Sequence, residues 1–207
     1  MNHASAPLPA PADVLDYWLA DGLTEEWPST DLAQRWFGGG AALDAEISER
    51  FGALVPLAQQ RGLTEWESGL HARLALVIVI DQFSRNVYRG QAQAFAGDGR
   101  AQRLVLQTLA LAEDTELSCA ARVFLYMPLM HAESKLLQEE CVMRFESLLA
   151  HAPARLKDTL QGNLHFAKVH RDIIQRFGRF PHRNEALGRT STAEETRFLI
   201  DGPRFGQ

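Results

Sequence analysis

The sequence contains little lysine and little cysteine, and each shortage excludes a class of protein. Arginine supplies 18 of the 21 basic residues, and 26 acidic residues give a net charge of −5. An acidic chain without a long basic stripe argues against general nucleic-acid binding. Cys119 and Cys141 are the only cysteines, too few for a disulfide scaffold or a zinc ribbon. We therefore expect a protein of a reducing compartment, the cytoplasm, with no nucleic-acid partner.

Long hydrophobic runs and catalytic signatures are missing as well. The longest strictly apolar run, Leu74–Ile80, has seven residues, whereas a membrane-spanning helix needs about 20. The chain contains no HExxH, HxxEH, CxxC or GxSxG motif, so neither a metal centre nor a nucleophilic active site is indicated. The first twelve residues do not have the pattern of a signal peptide. We expect a soluble chain with no membrane partner, metal or cofactor, and we assign no catalytic residue.

The composition and the spacing of apolar residues predict an all-α fold. Hydrophobic residues make up 46% of the 207 residues, which allows a substantial core. Apolar residues recur at spacings of three and four, and no segment alternates with period two. We predict about eight or nine helices, packed mainly as antiparallel pairs. An extended arm is expected over residues 1–12, a single helical domain over 13–201 and a tail over 202–207.

Prolines and glycines set the predicted ends of the helices. Residues 70–89 contain neither, so one long helix is predicted there around the apolar run, far beyond the length of a strand. Pro128 and Pro153 are expected at junctions between helices. A capping box at Ser191–Glu194 is expected to begin a last short helix. The other helices predicted in the second half are 98–112, 118–127, 129–151 and 155–177.

The excess of arginine has two explanations. A G+C-rich genome favours arginine codons throughout a protein, whereas local clusters of guanidinium groups suit the binding of carboxylates or phosphates. We attribute Arg100, and other arginines in ordinary helical settings, to codon usage. The clusters that follow need separate treatment.

The first cluster lies at the end of the predicted long helix. Asp81, Arg85 and Arg89 fall at i, i+4 and i+8, on one face. The acid can then orient one guanidinium group while the next stays free for a ligand. Alternatively, these charges form a structural ladder of salt bridges at the edge of the core. Arg85, Asn86 and Arg89 are candidate ligand-binding residues.

The second cluster is Phe177–Asn184, FGRFPHRN, where a glycine and a proline interrupt the preceding helix. Arg179, His182 and Arg183 are therefore presented from irregular backbone, where binding residues are common. So many donors in one loop suit an anion. Alternatively, the loop is a strap whose arginines neutralise the acidic residues 1–70, which carry 11 acids and 3 bases.

Three further residues complete the set of candidates. His131 and Glu133 are two residues apart and would point about 200° from each other on a helix, so they cannot chelate one metal by themselves. Glu133 is predicted to be a buried carboxylate paired with an arginine. His170 lies on an apolar stripe with Phe166 and Ile173, which favours a core histidine over a ligand.

Three stretches of the chain resemble motifs of a bacterial family known as domain of unknown function 924. The stretches are Asp81–Asn86 against the family's DQFPRN, Tyr126–Glu133 against Y-L-P-L-x-H-S-E, and Phe177–Glu195 against FGRFPHRN-x-x-LGR-x-S-T-x-E-E. The resemblance extends from about residue 14 to residue 199. It implies an all-helical fold, grouped with the tetratricopeptide-like superfamily, and no established activity.

Two positions depart from the family's motifs. Ser84 replaces a proline, which removes a break before Arg85, and Ala132 replaces a serine. The second departure puts in doubt any role for a hydroxyl beside His131. A search for the tetratricopeptide repeat pattern with its 34-residue period finds nothing convincing, so the grouping implies stacked helix pairs without consensus repeats.

Two functions follow from these observations. The first is a pocket for a small anionic or polar ligand, lined by Arg85, Asn86, Arg89, His131, Glu133, Arg179, His182 and Arg183; in a catalytic version, His131 or His182 acts as general acid or base. The second is a tetratricopeptide-like module for a peptide or protein partner, with Trp27 and Trp36 as exposed anchors. A metal-dependent hydrolase is a further alternative. A cavity shared by Arg85, His131 and Arg183 would favour the pocket, whereas closed salt bridges would favour a structural lock.

Overall fold

The computed structural model describes residues 7–205, and within that range every regular element is helical. The predicted all-α class is therefore confirmed. The ten α-helices are α1 Pro11–Leu19, α2 Ala41–Phe51, α3 Leu54–Gln59, α4 Leu70–Ile78, α5 Ser84–Val87, α6 Asp98–Ala110, α7 Cys119–Met130, α8 Lys135–His151, α9 Lys157–Phe177 and α10 Ala193–Asp201. Of the predicted arm, residues 1–6 lie outside the described range, and α1 begins at Pro11.

The long helix predicted from residue 70 forms the centre of the fold. It consists of α4, a π-helical turn over Val79–Phe83 and α5, in unbroken succession. All seven residues of the apolar run Leu74–Ile80 have no exposed surface, and α4 packs against α1, α6 and α7. A π turn adds one residue to a helical turn and is frequent at functional sites.

The predicted junction at Pro128 is wrong, because Pro128 lies inside α7. An interior proline costs a helix about 3 kcal/mol, but nearly every α7 side chain is buried, and this packing outweighs the local preference. The chain turns after Met130 instead. The side-chain amide of Gln138 donates to the carbonyl oxygens of Met130 and Ala132, at 2.6 and 2.8 Å, and so satisfies this helix end.

The capping box of the last helix lies one residue later than predicted. Thr192 Oγ1 accepts from the backbone nitrogen of Glu195 at 3.1 Å, and Glu195 Oε2 accepts from that of Thr192 at 2.7 Å. The prediction of a capping box is thus correct, but its position at Ser191–Glu194 is wrong by one residue. A threonine and a second glutamate follow directly and offer the same hydroxyl and carboxylate groups.

The C-terminal third of the chain forms an antiparallel helix pair and a small second core. Gln175 of α9 donates to Glu139 of α8, while Lys168 pairs with Glu146, so the two helices run in opposite directions. Beyond them, Phe180 packs with the end of α9 in a satellite cluster that also holds side chains of α10 and the tail. The superhelical arrangement of the fold stays a prediction.

Of the two tryptophans proposed as exposed anchors, Trp36 is buried and Trp27 is partly buried. Trp36 is 8% exposed, its indole nitrogen donates to the Trp18 carbonyl oxygen at 2.7 Å, and Trp27 packs edge-on against it at 5.5 Å. The sequence shows only an aromatic pair next to a polar loop, and its packing against the main core could not be predicted from that pattern. No helix within residues 7–205 is long and apolar enough to cross a membrane.

Candidate functional site

Asp81 is a buried carboxylate at the centre of the site. It lies on the π turn and is 1% exposed. Both of its carboxylate oxygens lie 2.9 Å from Nδ1 of His131, and Oδ1 lies 3.2 Å from Nη1 of Arg85. The side-chain amide of Gln82 donates to Oδ2 at 2.6 Å. Burial alone raises the pKa of Asp81, but Arg85 and His131 outweigh it and hold that pKa well below its usual range.

This geometry fixes the orientation and the proton of His131. Because Asp81 is ionised, the hydrogen of a neutral His131 ring belongs on Nδ1, and the lone pair belongs on Nε2. Burial lowers the pKa of His131, Asp81 opposes this effect, and Arg85 and Arg183 add to it. His131 is therefore a neutral imidazole at pH 7, and its Nε2 lone pair is available to accept a proton.

Asp98 joins the central helix to the FGRFPHRN loop. Its Oδ2 atom accepts from Nη2 of Arg85 at 3.0 Å and from Nη1 of Arg183 at 3.4 Å. The Arg183 guanidinium is held between two aromatic rings, 4.7 Å from the ring centre of Phe95 and 4.5 Å from that of Phe180. Such cation–π contacts stabilise a guanidinium group while most of its hydration is lost.

Two more histidines lie next to His131. The rings of His131 and His170 have centres 6.0 Å apart, and His170 Nδ1 donates to the Phe166 carbonyl oxygen at 2.8 Å. His182 packs on Phe180, with ring centres 5.4 Å apart. Burial lowers the pKa of both His170 and His182 to about 3, and neighbouring cationic groups add to the effect. The resulting group of seven is named the His/Arg cluster: Asp81, Arg85, Asp98, His131, His170, His182 and Arg183.

The hydrogen bonding of this cluster is incomplete. Arg183 Nε, His182 Nδ1 and Asp98 Oδ1 are buried and have no hydrogen-bond partner among the described residues. A buried polar atom without a partner costs about 1–3 kcal/mol, so such atoms are uncommon in proteins and call for an explanation. Burial also raises the pKa of Asp98, against the effect of its two arginines.

The tail of the protein covers part of this cluster. The Phe205 ring stacks on the His170 ring, with centres 3.8 Å apart and planes at 26°. It also meets His182 edge-on at 5.4 Å. The space between the two imidazoles that this phenyl ring fills is named the ring slot.

Asn86 and Arg89 are not part of the cluster. Both donate to Asp44 of α2: Asn86 to Oδ1 at 2.9 Å, and Arg89 to Oδ2 and Oδ1 at 2.7 Å each. The prediction that the second arginine of the helix face stays free for a ligand is therefore wrong. A carboxylate from another helix, which local spacing could not reveal, holds it in place.

Glu133 and Arg179 hold the loop that carries His182 and Arg183. Glu133 Oε1 accepts from the backbone nitrogen of Phe180 at 2.8 Å, and Oε2 pairs with Arg189 at 2.7 Å. The pairing predicted for Glu133 is confirmed, but Glu133 is exposed because it lies in the turn before α8. Arg179 binds both carboxylate oxygens of Glu195, at 2.6 and 2.8 Å, and holds the pKa of Glu195 at about 2.

The strap hypothesis named the wrong partners for these arginines. Arg179, Arg183 and Arg189 pair with carboxylates at positions 195, 98 and 133, all outside the acidic residues 1–70. The C-terminal loop is thus neutralised by α6, α10 and the turn before α8. Charge totals along the sequence indicated a complementary partner but could not identify it.

Four of the eight predicted ligand-binding residues, Arg85, His131, His182 and Arg183, meet in the His/Arg cluster. Sequence reasoning missed Asp98, because an acid at the start of a helix has an ordinary structural explanation there. It also assigned no role to Phe205. His170 is buried as predicted, yet it borders the cluster.

Open depressions of the surface lie elsewhere. One of about 590 Å³ is lined by Arg176, Glu194 and Phe198, among others. Another of about 370 Å³ is lined by Glu67, Arg100 and their neighbours. Neither includes a residue of the cluster, in which Arg85 pairs with Asp81 and Arg183 with Asp98 in the closed salt bridges expected of a structural lock. Within residues 7–205, no three His, Cys, Asp or Glu side chains are placed to hold a metal ion.

Comparison with known proteins gives a family and a fold. The model of a family described as "Bacterial protein of unknown function (DUF924)" matches residues 14–203. A solved structure, the protein of unknown function ATU0120 from Agrobacterium tumefaciens, is 34% identical, with a TM-score of 0.76. The similarity covers 93% of this chain and 97% of that one. No curated protein matches the chain.

Proposed function

The chain belongs to the DUF924 family of bacterial proteins of unknown function, and from the geometry of its site we propose that it binds a small anion at the His/Arg cluster. One observation carries the proposal. Arg183 Nε and His182 Nδ1, on neighbouring residues of the chain, are buried and have no hydrogen-bond partner among the described residues. An anion supplies an acceptor oxygen for Arg183 Nε, and one for His182 Nδ1 in the tautomer that carries the hydrogen on that atom.

The electrostatics of the cluster support an anion over a neutral ligand or a cation. Two carboxylates, Asp81 and Asp98, face two guanidinium groups, and three histidines are added to them. Cationic neighbours help to lower the pKa of His131, His170 and His182, so the site resists any further positive charge. An entering anion reverses this effect, because a nearby negative charge raises the pKa of a histidine.

His131 is poised to take part in this binding. Asp81 fixes its Nδ1 hydrogen, so a proton taken up with the anion would go to Nε2 and turn that atom into a donor. The Arg183 guanidinium is already oriented by Phe95 and Phe180, and binding therefore costs little side-chain entropy there. These features suit a compact group such as a carboxylate or a phosphate.

Calorimetric titration with inorganic phosphate, sulfate and acetate tests the proposal. Wild-type protein should bind at least one of them, and the variants Arg183→Gln and His182→Gln should bind it much more weakly. Arg176→Gln is the matched control, since it removes the same charge from an exposed pair with Glu194. Anion at 100 times its Kd should also add about 2.7 kcal/mol to the free energy of unfolding. For a chain of this length, Tm rises by about 2–4 °C for each kcal/mol.

The alternative to a binding site is a structural lock. If Arg183→Gln destabilises the protein and none of the three anions gives heat or a shift in Tm, the cluster is an ion-pair network that only holds the C-terminal loop. The interaction-module hypothesis loses one of its two proposed anchors with the burial of Trp36. A pull-down of partners still tests it.

A further inference from the structure

We infer that the ring slot is a binding site for an aromatic group, and that the ligand of the cluster is an anion carrying a planar aromatic ring that takes the place of the Phe205 side chain. The inference rests on the proposed anion site and adds the class of ligand. In the structure described, the chain's own tail fills the slot.

The slot and the proposed anion site share residues. His182 forms one wall of the slot through its edge-on contact with Phe205 at 5.4 Å, and its own Nδ1 atom is buried without a partner in the described part of the chain. The guanidinium of the next residue, Arg183, is the main cation of the anion site. Phe180 connects the two in space, because its ring centre lies 5.4 Å from that of His182 and 4.5 Å from the guanidinium carbon of Arg183.

The chemistry of the slot favours an aromatic ring over an aliphatic chain. The other wall is the face of His170, whose centre lies 3.8 Å from that of Phe205 with the planes at 26°. Because its Nδ1 donates to the Phe166 carbonyl oxygen and burial keeps its pKa low, His170 presents a neutral imidazole in a fixed orientation. A flat aromatic ring can lie against this imidazole face as the Phe205 ring does, and it buries a large apolar area there.

The tail that fills the slot is held weakly. Pro203 and Arg204 are exposed, and Phe205 is only half-buried. Arg204 donates from Nη2 to the Leu199 carbonyl oxygen at 3.1 Å, a bond within its own C-terminal segment. Phe205 has φ of 50°, in the left-handed region that costs free energy for a residue with a side chain. A ligand ring can therefore replace Phe205 and recover the stacking that is lost.

Three probes and two variants of the 207-residue chain, with one matched control variant, test this inference. Phenyl phosphate is compared with inorganic phosphate, and cyclohexyl phosphate separates stacking from mere apolar contact. Phe205→Ala should bind phenyl phosphate about tenfold more tightly than wild type does, with inorganic phosphate changed less than about twofold. Phe205→Trp, which fills the slot with a larger ring, should weaken phenyl phosphate. Phe37→Ala is the matched control, because Phe37 is 59% exposed on another part of the surface.

The outcomes separate the two proposals. If inorganic phosphate binds, but Phe205→Ala increases the affinity for phenyl phosphate no more than that for inorganic phosphate, the ring slot is wrong and the anion site stands. Equal gains for cyclohexyl and phenyl phosphate would overturn the aromatic specificity. If neither a phosphate, inorganic or organic, nor sulfate nor acetate binds to wild type or to Phe205→Ala, the anion site itself is wrong. A tenfold gain confined to phenyl phosphate and to Phe205→Ala supports both.

Discussion

Arg85 and Arg183 share one carboxylate oxygen, Oδ2 of Asp98, at 3.0 and 3.4 Å. Two guanidinium groups so close together repel each other, and the effect is visible on Arg183: burial lowers its pKa to about 10, and Arg85 adds to that effect. The shared anion is what allows the C-terminal loop to dock on the central helix. Asp98, which no motif marks, is therefore the residue on which the cluster depends most.

Asp98→Asn should be strongly destabilising. It removes the shared anion and leaves two cations buried together, and breaking a buried ion pair on one side costs about 3–5 kcal/mol. Urea unfolding measures the loss. Asp172→Asn is the control, since Asp172 is 63% exposed in its pair with Arg171, and exposed pairs contribute about 1 kcal/mol or less. Equal losses for the two variants would contradict this role of Asp98.

Stability should fall as the pH falls through the range in which free histidine titrates. His170 and His182 have pKa values of about 3, below the ordinary 6.5. Between these two values the unfolded chain binds protons that the folded chain does not, so stability is lost on acidification at about 1.4 kcal/mol per pH unit for each histidine. Urea unfolding at a series of pH values measures the slope. His170→Gln should reduce the slope by about 1.4 kcal/mol per pH unit, and an unchanged slope would contradict the prediction.

Anion binding should take up protons. A bound sulfate, which does not itself titrate in this range, raises the pKa values of the nearby His131 and His182 from their lowered range, so its affinity should increase as the pH falls from about 8 to about 6. Calorimetric titrations in buffers of different ionisation enthalpy measure the number of protons taken up per sulfate. His182→Gln should lower this number, while the exposed control Arg176→Gln should not. Binding without any proton uptake would mean that the histidines do not contact the anion.

Arg100 should be a major contributor to stability. Its guanidinium donates to the carbonyl oxygens of Ala58 and Gly62, at 2.5 and 2.9 Å, and to Glu67, and the residue is 7% exposed. Arg100→Met leaves these acceptors without a donor, at about 1–3 kcal/mol for each buried one. Urea unfolding of Arg103→Met gives the comparison, because the exposed Arg103 bonds only within its own helix. A loss no larger than that of the control would show that water replaces the guanidinium.

Glu133 should control the order of the loop that carries His182 and Arg183. Glu133→Gln removes the charge that Arg189 pairs with and weakens the bond to the backbone nitrogen of Phe180. Hydrogen–deuterium exchange over residues 178–192 should therefore become faster, since local opening sets the exchange rate. Glu194→Gln, in an exposed pair with Arg176, should leave this loop unchanged. If Glu133→Gln leaves the exchange rate of the loop unchanged, Arg189 and Glu133 do not hold it.

Sequence reasoning succeeded where the structure follows local rules. The helix from residue 70 is continuous because no glycine or proline interrupts it and its apolar run is long. The π turn within it was not predicted, since one extra residue leaves no pattern in the sequence. Pro128 shows the opposite case, in which a clear local signal is overridden by the burial of α7.

The candidate site divides in the same way. Arg85, His131, His182 and Arg183 were recognised from the density of donors in three stretches of sequence. Asp98 was missed because its role depends on contacts with arginines that lie far along the chain. Arg100 was wrongly attributed to codon usage, because a buried arginine that binds backbone carbonyls looks in sequence like any other arginine on a helix.

The link from Arg183 to Asp98 spans 85 residues, and this has a consequence for synthesis on the ribosome. Domains begin to fold while the chain still grows, at about 5–20 residues per second. Asp98 and its helix emerge from the ribosome well before Arg183 and Phe205. During that interval Asp98 can pair with Arg85, and the contact with Arg183 is added only when the later segment has been made.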